Sequence, residues 1–226
     1  SRVAGYVLVI YSLVLDMIPC LNYLLNFQIT KSEFSNNVYD WPDRGFSSWN
    51  TTVDGVDTEF WTIQQYFVSE GSNLQKSKEE RLAARDSTRL LQENAIWVVG
   101  TDKELKEIST SEEDIVQEGL FTKQSCIIWM GQHYFYKMSS TTECTAKQMF
   151  PWFLLTNNKT LIATGFVTYG KLKIPDGTRD WFEHPGVVTV KAIAPNGPTC
   201  LYEVVNQSGA LTMHIFYIDQ PWTVTC

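Results

Sequence analysis

Chemistry in this 226-residue chain would have to come from three histidines, five cysteines and a few clustered carboxylates, so their spacing is read first. His133 and His214 fall inside strand-like patterns, and His184 lies in the stretch Trp181-Phe182-Glu183-His184-Pro185. Separations this wide match no linear zinc motif, and each histidine reads as a structural or surface residue. No G-x-S-x-G elbow, Walker loop, G-x-G-x-x-G or H-E-x-x-H occurs. With no nucleophile and base to name, the sequence does not read as that of an enzyme. Glu112-Glu113-Asp114 concentrates the hard oxygen ligands that calcium prefers, but not at EF-hand spacing. The plainer reading of that trio is a solvated face, and no other cofactor signature is present.

Cys20, Cys126, Cys144, Cys200 and Cys226 are widely spread, with no C-x-x-C pair, which leaves disulfides as their use. The sequons at Asn50, Asn158 and Asn206 are surface acceptors of N-linked glycans if the chain enters the secretory pathway. Both features point to an oxidising compartment, and the chain reads as secreted or extracellular. A net charge of −7 without any basic stripe argues against a nucleic-acid partner, because phosphate binding needs clustered Lys and Arg.

The elements that must position these residues are mostly strands. Thr58 to Val68 and Ala95 to Val99 read as strands, and the capping-box pattern Ser77-Lys78-Glu79-Glu80 opens a helix. Asp102 to Gln117 reads as a polar helix or an extended loop. Cys126 to Met130 and His133 to Met138 form a hairpin turning at Gly131-Gln132. Leu161 to Tyr169, Val187 to Ile193, Leu201 to Val205 and Leu211 to Ile218 continue the β pattern, with Pro-Asp-Gly and Pro-Asn-Gly-Pro turns between them. The sum is a mainly β (α+β) fold, antiparallel, with one or two helices laid against the sheet.

Residues 1–25 form an apolar N-terminal segment and residues 26–226 a single β domain. The run Val3 to Leu15 is short for a membrane span and is interrupted soon after by Asp16 and Pro19, so it reads as a packed segment or as an anchor. Membrane contact is expected only in the second case. Aromatic residues make up 13% of the chain, and Trp61, Tyr66, Trp97, Trp129, Phe135 and Phe166 all fall in predicted strands. There they either fill a core or line a cavity.

Several local features of residues 130–226 resemble the ependymin-related proteins, a family of secreted animal glycoproteins. The strand His133 to Met138 is followed by a polar turn and Cys144, and Phe150-Pro151-Trp152 precedes the Asn158 sequon and a glycine-bearing strand. Val187 to Ile193 runs before Cys200, and the chain closes on Asp219-Gln220-Pro221-Trp222 and Cys226. This resemblance implies a strongly curved antiparallel sheet or half-barrel like that of bacterial lipoprotein carriers, with helices over an apolar pocket for lipid-like ligands, and it brings calcium and dimers with it as associations. It also implies disulfides Cys20–Cys200 and Cys144–Cys226, leaving Cys126 as a free buried thiol or half of a bond to an absent residue. The expected function is binding of a hydrophobic small molecule, such as a lipid, fatty acid or pigment. The alternative is a structural or adhesive extracellular subunit that assembles with its own copies or a neighbour through the N-terminal segment.

Overall fold

Two stretches of the chain, Trp152–Asn157 and Thr160–Tyr169, are buried along nearly their whole length. A strand buried on both faces must lie in the middle of a layered structure, and the computed structural model shows that arrangement. It describes residues 24–35, 40–67, 77–83, 86, 91–174 and 180–226.

The strands of the first half are β1 (Leu24–Thr30), β2 (Phe34–Ser35), β3 (Ser47–Val53), β4 (Val56–Tyr66), β5 (Ala95–Val99) and β6 (Leu105–Ser109). Those of the second half are β7 (Phe121–Ile127), β8 (Gly131–Tyr136), β9 (Trp152–Asn157), β10 (Thr160–Tyr169), β11 (Lys171–Leu172) and β12 (Ala210–Phe216). Helices α1 (Lys78–Ala83), α2 (Glu112–Glu118), α3 (Val187–Ile193) and α4 (Thr199–Ser208) complete the described elements. The outer sheet runs β1-β4-β5-β6, with β3 also paired to β4, and the middle sheet runs β12-β10-β9-β8-β7. Every pairing is antiparallel, and neither sheet closes into a barrel.

Alternation along the middle strands divides the apolar interior into two cores. Trp152 and Leu154 of β9 and Phe166 of β10 point toward the outer sheet, where they meet Phe27, Ile63 and Ile96. Phe27 stacks on Phe166 at 4.9 Å and meets Trp152 edge-on at 5.4 Å. Phe153, Leu155, Ala163 and Val167 point the other way and pack under Leu201 and Val205 of α4. Several buried polar side chains are matched to partners between the sheets. Gln65 donates to Tyr217 at 2.6 Å and accepts from Thr164 at 2.8 Å. The guanidinium of Arg44, 2% exposed, donates to the carbonyls of Met149 and Val167 and to Thr168 Oγ1 at 2.9 to 3.0 Å, fixing the Pro42–Arg44 turn to the middle sheet.

The expected strands at Thr58 to Val68, Ala95 to Val99, Leu161 to Tyr169 and Leu211 to Ile218 are present within a few residues of their bounds. The capping box is formed as well, with Ser77 and Glu80 each bonding the other's backbone N–H. Two expectations are corrected: Val187 to Ile193 and Leu201 to Val205 are the helices α3 and α4. Their β-branched residues suggested strands, yet Val187, Val190 and Leu201, Val205 recur at three- and four-residue spacing and bury one helical face against the middle sheet. Asp102 to Gln117 resolves into β6 followed by α2. The hairpin is also shifted, since β7 begins at Phe121 and its turn is centred before Gly131, on Trp129 with φ of 70°.

The disulfides are Cys126–Cys226 and Cys144–Cys200, not the pairing implied by the resemblance. Trp129 N–H donates to the Val224 carbonyl, which lays the C-terminal tail along the β7–β8 turn and puts Cys226 beside Cys126, so Cys126 is not a free thiol. Cys144, in the loop after β8, meets Cys200 in the first turn of α4, which leaves Cys200 no sulfur for Cys20. Cys20, the turn at 175–177 and all but the last two residues of segment 1–25 lie outside the described residues. Among the described residues no helix is long and apolar enough to cross a membrane.

Candidate functional site

The layer between the middle sheet and α3–α4 is incompletely filled, and β10 contributes Val167 and Tyr169 to its floor. On its helix-facing side this strand carries Ala163 and Gly165, the two smallest choices, in the centre of the sheet. The cross-strand rows are Phe135, Phe153, Gly165, His214 and, beside it, His133, Leu155, Ala163, Phe216. A trough therefore runs along β10, and large side chains from β9 and β12 lean into it. The tip of the Phe153 ring occupies the space over Gly165, where an added Cβ would fall 1.8 Å from it.

Beside them α3 and α4 leave a cleft with a cavity volume of about 90 Å³. Its walls are chiefly Phe135, Phe153 and Val167 from the sheet and Val190, Leu201 and Val205 from the helices. The polar groups are few: His133, His214 and Glu183, with the hydroxyls of Thr189, Thr212 and Tyr169. Among the described residues that line it there is no serine or cysteine.

The two imidazoles meet almost perpendicular, ring centres 6.1 Å apart, with Phe153 against both. His133 Nδ1 lies 3.1 Å from the Gly131 carbonyl, an acceptor only, so this nitrogen carries the proton. His214 Nδ1 lies 3.0 Å from Glu183 Oε1, and Thr212 donates to the other oxygen at 3.2 Å. Backbone bonds in both directions between Glu183 and Thr212 hold the segment 180–185 to β12 and aim the carboxylate. Both Nε2 atoms are buried and have no hydrogen-bond partner. Burial, with His214 adding to it, lowers the His133 pKa to about 4 and so keeps it neutral at pH 7. Burial raises the Glu183 carboxyl, but the hydrogen bonds and charge from His214 and Thr212 outweigh it and hold this group below its ordinary value.

Of the six aromatic residues expected to line a pocket, Phe135 is the one among the residues lining this cleft. Phe166 faces the core between the sheets, and Trp61 stacks on Trp41 in the outer sheet. Tyr66 and Trp97 form a cross-strand pair in that same sheet, half-buried, and Trp129 stands 64% exposed on its turn. His184 bonds Asp180 and lies off the cleft. Two of the acidic trio are engaged: Glu112 accepts from Tyr134 and Thr156, and Asp114 from Ser109. Among the described residues no three metal-ligating side chains are grouped to hold an ion. Asn50, Asn158 and Asn206 are all exposed, on β3, in the β9–β10 turn and on α4. Glu183 was missed in the sequence, although Trp181 to Pro185 drew notice for its histidine; nothing local marks a partner 31 residues away.

The fold and site together are those of a two-sheet antiparallel protein with a helix-covered apolar cleft. Compared with protein-family models, with curated proteins and with solved structures, the chain matches none.

Proposed function

We propose that this chain is a secreted, N-glycosylated protein that binds a small, mainly apolar molecule in the cleft between β10 and α3–α4. The observation that carries this reading is the cleft itself, an apolar space walled by Phe135, Phe153 and Val167 of the sheet and by Val190, Leu201 and Val205 of the helices. Removing apolar surface from water stabilises a complex by roughly 25 cal/mol per Å², so such a space holds a ligand without specific chemistry. Two disulfides and three exposed sequons support the secretory route. The strongly curved carrier sheet that the ependymin resemblance implies would serve the same end, but the cleft requires only one sheet face with two helices on it.

The test is titration of the purified protein with the neutral fluorophore N-phenyl-1-naphthylamine, alongside organic extraction and mass spectrometry of gently purified material. Saturable fluorescence enhancement that is lost in Val205→Phe, a substitution that fills the cleft from α4, is the expected result. No enhancement, and no extractable apolar compound, would remove the proposal.

A further inference from the structure

We propose that the corner formed by the β7–β8 turn and the C-terminal tail docks this protein on the surface of a zwitterionic lipid bilayer, with Trp129 and Trp222 entering the headgroup region. Among the described residues four large apolar side chains stand 60% exposed or more, and three of them, Ile128, Trp129 and Trp222, belong to this corner. The chain ties the two parts of the corner together. The Cys126–Cys226 disulfide joins β7 to the tail, and the Trp129 N–H donates at 2.9 Å to the carbonyl of Val224, just beyond the Pro221–Thr223 turn that carries Trp222. Trp129 sits at the tip of its own turn with φ of 70°, a left-handed conformation suited to Gly or Asn and uncommon for a bulky side chain. Neither indole belongs to either core. A strained backbone that presents an exposed indole to water points to a contact site rather than to packing.

Charge and size identify what covers this corner. The two segments that form it, 124–136 and 220–226, contain no Asp, Glu, Lys or Arg, in a chain whose net charge is −7. They offer an anionic surface no attraction, which leaves a neutral one. Three side chains are also far short of the roughly 20–30 residues a side that a stable protein–protein interface engages. A bilayer takes up single apolar side chains from a turn, and indoles settle at its headgroup level because they join an apolar face to an N–H donor. This contact is separate from any made by residues 1–25, and it does not depend on the cleft holding a ligand. Its relation to the cleft is one of place: Met130, the residue after Trp129, is a wall of the cleft.

The test is co-sedimentation of the purified full chain with sucrose-loaded phosphatidylcholine vesicles. The wild-type protein is expected to pellet with them, to the same extent when phosphatidylserine is added and in about 0.5 M sodium chloride. Trp129→Asn combined with Trp222→Ser should weaken partitioning roughly tenfold or more, the scale of leaving one large apolar side chain in water. Its urea midpoint should be unchanged, because Asn suits the turn and both indoles lie outside the cores. Leu105→Ser, which removes an exposed apolar side chain from β6 of the outer sheet, should pellet like the wild type. A wild-type protein that stays in the supernatant overturns the proposal, as does a double variant that pellets as well as the wild type. Binding that requires phosphatidylserine, or that salt abolishes, is an electrostatic contact and overturns it too. Sedimentation velocity supplies the last arm: a wild-type dimer that the double variant dissociates, with no vesicle binding, would assign the corner to a second copy instead. None of these results bears on the cleft, which the fluorophore titration tests separately.

Discussion

Burial lowers the pKa of His133 to about 4 from an ordinary 6.5, His214 nearby lowers it further, and bonds from the backbone together with Glu183 oppose the shift. Between those values the unfolded chain binds a proton at this residue that the folded chain refuses, so stability rises with pH across the interval. Acidifying from pH 6.5 to 4 should therefore remove about 3 kcal/mol through this group alone. Urea unfolding at a series of pH values would show it as a falling midpoint, and His133→Phe should flatten that part of the profile. A wild-type midpoint that does not move in this window would contradict the burial of a neutral imidazole. Neither this histidine nor its neighbour announces its setting in the sequence. His133 and His214 stand far apart along the chain and become neighbours because β12 crosses over to pair with β10 while β8 pairs with β9, an order that no local pattern encodes.

Single elements were more legible than their arrangement. The β10 pattern is strong because apolar residues run through it almost without break and that of β4 because apolar and polar residues partly alternate, and an Asp54-Gly55 turn with both φ angles positive closes the β3–β4 hairpin. Helices α3 and α4 were read as strands because Val187, Val188, Val190 and Ile193 favour extended structure locally, whereas the middle sheet needed a helical lid. Without that lid the trough is invisible, and Gly165 looks like an ordinary weak point in a strand. Its lack of a side chain is what seats Phe153. In Gly165→Ala the new Cβ would lie 1.8 Å from the Phe153 ring, so that ring must leave its place. Overpacking of this kind is expected to cost about 2 kcal/mol in the unfolding free energy and to change fluorophore affinity at the same time. A variant with unaltered midpoint and unaltered binding would show that Phe153 does not line the site.

At the scale of the whole molecule, the two covalent ties close each on its own side of the helix-covered layer: one joins β7 to the C-terminus, the other joins the loop after β8 to α4. Peptide mapping without reduction should recover Cys126 linked to Cys226 and Cys144 linked to Cys200. In the chain-entropy picture the first bridge, spanning 100 residues, stabilises by about 4.7 kcal/mol, and Cys226→Ser together with Cys126→Ser should lower the urea midpoint accordingly. The middle sheet has one more consequence. Adjacent residues of β9 answer to different cores, Trp152 to one and Phe153 to the other, so the sheet is a partition as well as a scaffold. Damage on one side should not be felt on the other. Ile63→Ala and Val205→Ala, on opposite sides, should therefore have unfolding free energies that sum within about 0.5 kcal/mol in the double variant, while Leu201→Ala and Val205→Ala, in one compartment, should not. A protein built this way can remodel the compartment under its helices, cleft included, while the other compartment continues to hold the fold.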